Sequence, residues 1–291
     1  MTTHDETLNR RLRRQLVPGA GLMMPGAANA LTARLIEAAG HPLLMVSGAA
    51  VANTFLGVPD IGLSSVTELA LHVDAIRDAV GIPIVVDADT GFGNALNVRR
   101  TVRTLERAGA NAIMLEDQTF PKRCGHFDGK SVVPAAEMVA KIHAAVDARK
   151  DADLVILART DARAVEGLEA AMQRARDYLD AGADMLFIEA PLSRDELLAI
   201  PREVPGLHLC NMVVGGRTPL LPREELARAG FAAICYANAA LQASALAMRS
   251  VLAHLHNHGD VAGVQAQLMS FAERQSMLGA QDYAELARRY A

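Results

Sequence analysis

A chain of 291 residues, 51% apolar and 21% charged, can bury a large core and fits two average domains or one large single-layered barrel. Its formal net charge of −4 and its lack of tryptophan give no electrostatic or stacking case for nucleic acid or an anionic membrane. Three cysteines, Cys124, Cys210 and Cys235, form an odd count without close pairs, which argues against a disulfide framework or a Cys-rich zinc site and favours a reducing, cytoplasmic setting.

The N-terminal MTTHDETLNRRLRRQL is charged and polar and lacks the apolar core of a secretory signal. Short apolar runs then alternate with longer helical patterns. The runs are GLMMPG (21–26), PLLMVSG (42–48), PIVVDAD (83–89), AIMLED (112–117), LVILARTDA (154–162), MLFIEAP (185–191), HLCNMV (208–213) and AAICYA (232–237). Helical segments such as VTELALHVDAIRDAV and GLEAAMQRARDYLDAG lie between most of them, and several stop at a glycine (Gly109, Gly182, Gly230) before the next run. Continuously apolar runs suit strands buried on both faces. Eight such units without a Pro-, Gly- or Ser-rich linker predict an α/β fold, a (β/α)₈ TIM-type barrel, with a doubly wound sheet as the alternative. FAAICYANAALQASALAM (231–248) is interrupted by Asn238, Gln242 and Ser244 and reads as a buried strand and helix rather than a membrane span. The expected organisation is one barrel domain over 1–291, with 251–291 as a C-terminal helical extension. Its apolar Val251, Leu252 and Leu255 call for a partner surface, so a homo-oligomer is expected.

Polar residues gather at the C-terminal ends of successive runs: Ser47 and Gly48, Asp87 and Asp89, Glu116 and Asp117, Arg159 and Asp161, Glu189, and Asn211. In a barrel these ends converge on one mouth, where barrel enzymes do their chemistry. A single acid there is commonly a helix cap, but six such strand ends together exceed what capping explains. Asp87 and Asp89, at i and i+2 of one predicted strand, point to the same face. With Glu116 they offer an all-oxygen set suited to Mg²⁺, with Mn²⁺ as an alternative, unless one caps a helix and the other pairs with an arginine. GFGNAL misses the dinucleotide fingerprint because Leu96 stands where glycine is required, so its glycines are expected to shape a tight turn.

Arg159 presents a planar fork to a carboxylate or developing oxyanion, or else forms an internal salt bridge with Glu189 or Asp161. Glu189 accepts a substrate hydroxyl or orients Arg159, and Asn211 offers a neutral amide to a carboxylate. PKRCGHFDGK (121–130) places Cys124 beside Lys122, Arg123 and His126, which would lower the thiol's pKa, between glycines that let the loop move. Such a thiol can give or take a proton as the loop closes over a metal-bound carboxylate. Cys210 and Cys235, inside apolar runs, are expected to be inert core.

MVSG, VDADTGFGNALNV, LEDQ, PKRCGH and ARTDA, in this order, resemble the isocitrate lyase and phosphoenolpyruvate mutase superfamily, in its methylisocitrate lyase and 2,3-dimethylmalate lyase branch. The resemblance runs from about Pro25 to Tyr283 and implies a (β/α)₈ barrel, Mg²⁺, and a tetramer that exchanges C-terminal helices. It implies substrate contacts at Ser47, Gly48, Ala49, Gly125 and Asn211, and Mg²⁺ at Asp87 and Asp89 with Asp60 and Glu116 in support; His126 and, in AERQSM, Arg274 are further candidate substrate contacts. Cys124 is then the catalytic acid/base, with Arg159 and Glu189 beside it. Two positions depart from the pattern: Met45 where the branch carries tyrosine, and Gln242 where it carries arginine. The latter shifts the expectation toward a dicarboxylate such as a 2-alkylmalate. The implied activity is cleavage of a 2-hydroxy di- or tricarboxylate to a keto acid and a carboxylate. A phosphonomutase or phosphonopyruvate hydrolase, an oxaloacetate hydrolase, and a non-catalytic barrel serving as a binding subunit are the alternatives.

Overall fold

The apolar runs become eight parallel strands in a computed structural model that describes residues 6–291. They are β1 (Leu22–Ala27), β2 (Leu44–Val46), β3 (Ile84–Asp87), β4 (Ala112–Glu116), β5 (Val155–Thr160), β6 (Met185–Ile188), β7 (His208–Asn211) and β8 (Ala233–Tyr236). Each pairs with its neighbours in sequence, and β8 closes on β1 through Leu22 opposite Ala233, so the sheet is a closed barrel and not a doubly wound sheet. Helices cross between strands: α1 (Leu8–Gln15) precedes β1, and α2 (Ala30–Ala38), α3 (Gly48–Val51), α4 (Val66–Ala79), α5 (Ala95–Arg107), α6 (Ala135–Ala148), α7 (Leu168–Asp180), α8 (Arg194–Glu203) and α9 (Arg223–Ala229) follow in order. Among the described residues no helix is long and apolar enough to cross a membrane.

Alternation along the strands divides the core. Ile84, Val86, Ile113 and Leu115 face outward into the layer shared with the helices, whereas Val85, Met114, Leu157 and Phe187 fill the barrel interior. Leu12 and Leu16 join this interior cluster, which places α1 across the N-terminal end of the barrel. Arg13 fixes it there, with hydrogen bonds to the carbonyls of Ala152, Asp153 and Leu154 just before β5 and to Asp184 just before β6. Gly109, with φ of 98°, shows why these helices stop at glycine: the left-handed turn into β4 also leaves no room for a Cβ against Arg77.

The chain divides into two compact units, the barrel through Ala239 and a second unit from Ala240 to Ala291. The second holds most of α10 (Ala239–His258), then α11 (Phe271–Met277) and α12 (Ala280–Tyr290), and includes the expected extension 251–291. None of these three helices has a buried residue, and Leu246, Met248 and Leu252 of α10 are all exposed.

Candidate active site

The acids at the ends of β3 and β4 are gathered around a lysine. Asp87 ends its strand, but Asp89 lies beyond it, in a turn where its φ is 48°. The two therefore do not share a strand face as the i, i+2 spacing predicted; the chain has already turned, closed by the Gly91 N–H donating to Ala88 O. They meet nonetheless. A Cβ on Gly48 would stand 3.0 Å from Asp89 Oδ1 and 3.3 Å from Asp87 Oδ2, so the first turn of α3 approaches both carboxylates only as glycine. Lys122 Nζ lies 2.5 Å from Asp60 and 2.7 Å from Asp89. Burial pushes Asp89 up to about 7 against the pull of Lys122, with Asp87 and Asp60 adding repulsion. Burial also raises Glu116 well above the carboxylate range, although Arg159 and Lys122 oppose it.

Among the described residues neither Glu116 oxygen is hydrogen-bonded, and Asp89 Oδ1 faces the Lys122 ammonium at 2.7 Å; all three oxygens are buried. Unsatisfied buried carboxylate oxygens are the donor set that a hard divalent cation takes. Asp60, Asp87, Asp89 and Glu116 thus fit such an ion chemically, while Lys122 already stands between Asp60 and Asp89. Among the described residues no three acidic, histidine or cysteine groups converge closely enough to hold a metal.

Across the mouth, Arg159 sits beside Glu116 in the sheet register and has Phe187 on its other side, its guanidinium carbon 5.5 Å from that ring's centre. Its Nε donates to Asp161 Oδ2 at 2.8 Å and its Nη2 to Asp161 Oδ1 at 3.1 Å, and Glu189 Oε2 lies 3.2 Å from Nη2. The internal salt bridge is therefore formed with both acids. Nη1 makes no hydrogen bond among the described residues. Asp161 is held from below: its N–H donates to Asp117, which also accepts from Thr160 Oγ1, Tyr178 OH and Arg174.

The loop carrying Cys124 crosses this mouth. Gln118 brackets its start through both directions of hydrogen bonding with the Arg123 backbone, and the Cys124 N–H donates to Asp60 O. Gly125 packs so closely on the Arg159–Glu189 pair that a Cβ would stand 2.5 Å from Arg159 Nη2 and 2.5 Å from Glu189 Oε2. The expected lowering of the thiol pKa is not what this geometry produces. Burial pushes Cys124 above its usual range, a His126 N–H and Arg159 pull it down, and Asp60 and Glu189 push it up. Lys122 has turned into the acid cluster, Arg123 is exposed, and burial holds His126 below its own usual range, so none of these three lowers the thiol as expected. The half-buried thiol is therefore an S–H donor in the resting site.

Ser47, Ala49, Asp60, Asp87, Cys124, Gly125, His126, Arg159, Glu189 and Asn211 line one cavity. Gly48, Asp89 and Glu116 are not on its surface but touch residues that are. Arg274 belongs to α11 of the second unit, where its guanidinium lies over Phe271. Sequence reasoning missed the floor: Met114, Phe187 and Leu209, together with Met45 and Cys235, line the cavity from inside the barrel. Cys235 was expected to be inert core. It is buried and its thiol is pushed well up by that burial, yet it reaches the cavity, its sulfur 3.3 Å from that of Met45. Apolar strand residues give no signal separating floor from core. Cys210 is buried as expected.

A family model described as phosphoenolpyruvate phosphomutase matches residues 12–256. The chain is 42% identical over 281 residues to a 2,3-dimethylmalate lyase of Eubacterium barkeri, covering 97% of each. It is 42% identical over 272 residues to a 2-methylisocitrate lyase of Aeropyrum pernix, with 92% of this chain and 87% of that one covered. A chloroplastic carboxyvinyl-carboxyphosphonate phosphorylmutase of Arabidopsis thaliana is 41% identical over 288 residues, with 98% and 85% covered. Among solved structures, an oxaloacetate acetylhydrolase bound to 3,3-difluorooxalacetate superposes with a TM-score of 0.91 at 31% identity, covering 97% of each chain. A phosphonopyruvate hydrolase in complex with oxalate and Mg²⁺ superposes with a TM-score of 0.88 at 34% identity, covering 98% of this chain and 99% of that one. This chain is an enzyme of the phosphoenolpyruvate phosphomutase family, within the phosphoenolpyruvate mutase/isocitrate lyase superfamily.

Proposed function

We propose that this enzyme is a Mg²⁺-dependent carbon–carbon lyase that cleaves a 2-hydroxy dicarboxylate of the 2-alkylmalate type, or a tricarboxylate of the 2-methylisocitrate type, to a keto acid such as pyruvate and a carboxylate. The observation that carries it is the Cys124 thiol lining one cavity together with the paired Arg159 and Glu189. Relatives named 2,3-dimethylmalate lyase and 2-methylisocitrate lyase support it.

Arg159, through Nη1, and Asn211 bind carboxylate oxygens of the substrate, and Ser47 and Ala49 at the start of α3 border the keto-acid half. Asp87 and Asp89, with Asp60 and Glu116, would hold Mg²⁺ (or Mn²⁺), which when bound supplies positive charge to the oxygens of the forming keto acid. The substrate hydroxyl loses its proton, its oxygen forms the keto C=O, and the adjacent carbon–carbon bond breaks. The bond's electron pair passes to the departing carbon, where the carboxylate delocalises it beside Arg159. Cys124 gives its S–H proton to that carbon, and the thiolate regains a proton before the next turnover. Met45 has no proton-accepting group, so the tyrosine of the branch has no counterpart there; Glu189, which lines the cavity, takes the hydroxyl proton and passes it to solvent, from which the thiolate is reprotonated.

The reading includes a homotetramer that exchanges C-terminal helices, supported by the exposed apolar residues of α10, and no nucleic-acid or membrane partner. The similarity to a phosphorylmutase and to phosphonopyruvate hydrolase favours phosphonate chemistry as a second reading. Keto-acid release from 2,3-dimethylmalate, 2-methylisocitrate and oxaloacetate with Mg²⁺, measured alongside ³¹P NMR of phosphonopyruvate, separates them. Phosphonate turnover with no keto acid released from the hydroxy acids would reject the lyase reading. Turnover that persists in chelator, for wild type and Asp87→Ala alike, would reject the metal.

A further inference from the structure

Lys130 is used by none of the chemistry above, yet its side chain is 2% exposed and its charge is fully engaged. Nζ donates to Asp161 Oδ1 at 2.7 Å and to the carbonyl of Gly125 at 2.5 Å. Asp161 Oδ1 is the same oxygen that accepts from Arg159 Nη2, and Gly125 adjoins Cys124. One ammonium therefore ties the loop to the carboxylate that aims the arginine. The carboxylate itself cannot follow the loop, because its backbone N–H is bonded to Asp117 beneath the barrel mouth.

We propose that Lys130 is a positioning residue, a latch that makes closure of the Cys124 loop and orientation of Arg159 one event. A buried ammonium is stable only while paired, so the loop cannot lift partway with Lys130 left behind. Asp161 and Glu189 already hold Arg159, and an incoming anion competes with both. Lys130 supplies the second positive charge that keeps this cluster receptive to a carboxylate. Lifting the loop removes it, and the site then favours release. The latch itself follows from geometry; only its effect on turnover rests on the lyase reading.

The test is the rate of iodoacetamide alkylation at Cys124, read by peptide mass spectrometry on the ligand-free full chain, which separates Cys124 from the buried Cys210 and the cavity-lining Cys235. A hydrogen-bonded ion pair of this kind shifts an opening equilibrium by roughly ten- to a hundredfold. Lys130→Met should therefore alkylate at least about tenfold faster than wild type. Lys130→Arg, which keeps the charge, should stay near the wild-type rate, and oxalate with Mg²⁺ should protect it but not Lys130→Met. A wild-type alkylation rate in Lys130→Met with an unchanged circular dichroism spectrum overturns the latch. If that variant does not fold, Lys130→Gln carries the same test with the same outcomes. Loss of turnover in every protein, with the alkylation pattern intact, would instead point to a failure of the lyase reading.

Discussion

Lys122 Nζ lies 2.7 Å from Asp89 Oδ1, so a cation of the loop is spent inside the acid cluster and not beside the thiol two residues away. Burial of Asp89, which the lysine offsets only in part, makes the metal-free protein sensitive to pH. Asp89 sits at about 7 when folded, against an ordinary 3.8. A carboxyl raised on folding adds stability below its unfolded value, and that stability is lost as pH rises through the folded one. In chelator, Asp89→Asn should be more stable than wild type at pH 8, with the difference shrinking toward pH 4. Adding Mg²⁺ at pH 8 should reverse the order. Calorimetric unfolding across that range checks both, and a pH-independent difference would remove Asp89 from the cluster.

Cys124→Ser should lower turnover by about 10²-fold or more, the usual scale for a positioned proton donor. The sign of the pH effect follows from the raised thiol: its acid form persists at neutral pH, above which activity falls only as the sulfur ionises, beyond its ordinary 9.0. A pH–rate profile should show this alkaline limb in wild type and lack it in Cys124→Ser.

Gly125→Ala keeps the loop's length and charge but inserts a methyl 2.5 Å from both Arg159 Nη2 and Glu189 Oε2. The loop must lift or the pair must part, and a displacement near 1 Å at a reacting centre costs about 10²-fold. Kinetics should show that loss with the unfolding temperature little changed, since the strain falls on the mouth and not on the core.

How much of this was legible beforehand depends on the kind of signal. Continuous apolar runs ending in glycine-stopped helices gave the barrel, because burial on both faces and left-handed helix stops leave marks in the residue types. Polar groups at strand ends marked the mouth for the same reason. The partners inside it were not legible. Whether Arg159 turned to Asp161, and whether Lys122 faced the thiol or Asp60, depends on rotamers and on a loop's path, which residue order does not encode. The left-handed turn that carries Asp89 off its strand was hidden as well, since aspartate tolerates both conformations.

Tyr178→Phe tests the support beneath the site. Its hydroxyl donates to Asp117 at 2.7 Å and receives Arg174 at 3.2 Å, all three groups being buried. Losing a hydrogen bond to a charged acceptor should cost about 1.5–3 kcal/mol. Denaturant unfolding should show that drop, with turnover lowered less than in Gly125→Ala because Thr160 and Arg174 still hold Asp117.

The second unit leaves Leu246, Met248 and Leu252 exposed along α10. Light scattering at assay concentration should find a homo-oligomer, with a tetramer expected, and charged substitutions at Leu246 and Leu252 should dissociate it. A monodisperse wild-type monomer would contradict this expectation.

The placement of α1, with Leu12 and Leu16 packed into the interior cluster, closes the N-terminal end beneath a filled core. A site set above that filled core is reached from the loop end, so under the lyase reading the Cys124 loop is the doorway for substrate and products alike. How often the door swings sets a ceiling on turnover, however fast the bond itself is broken.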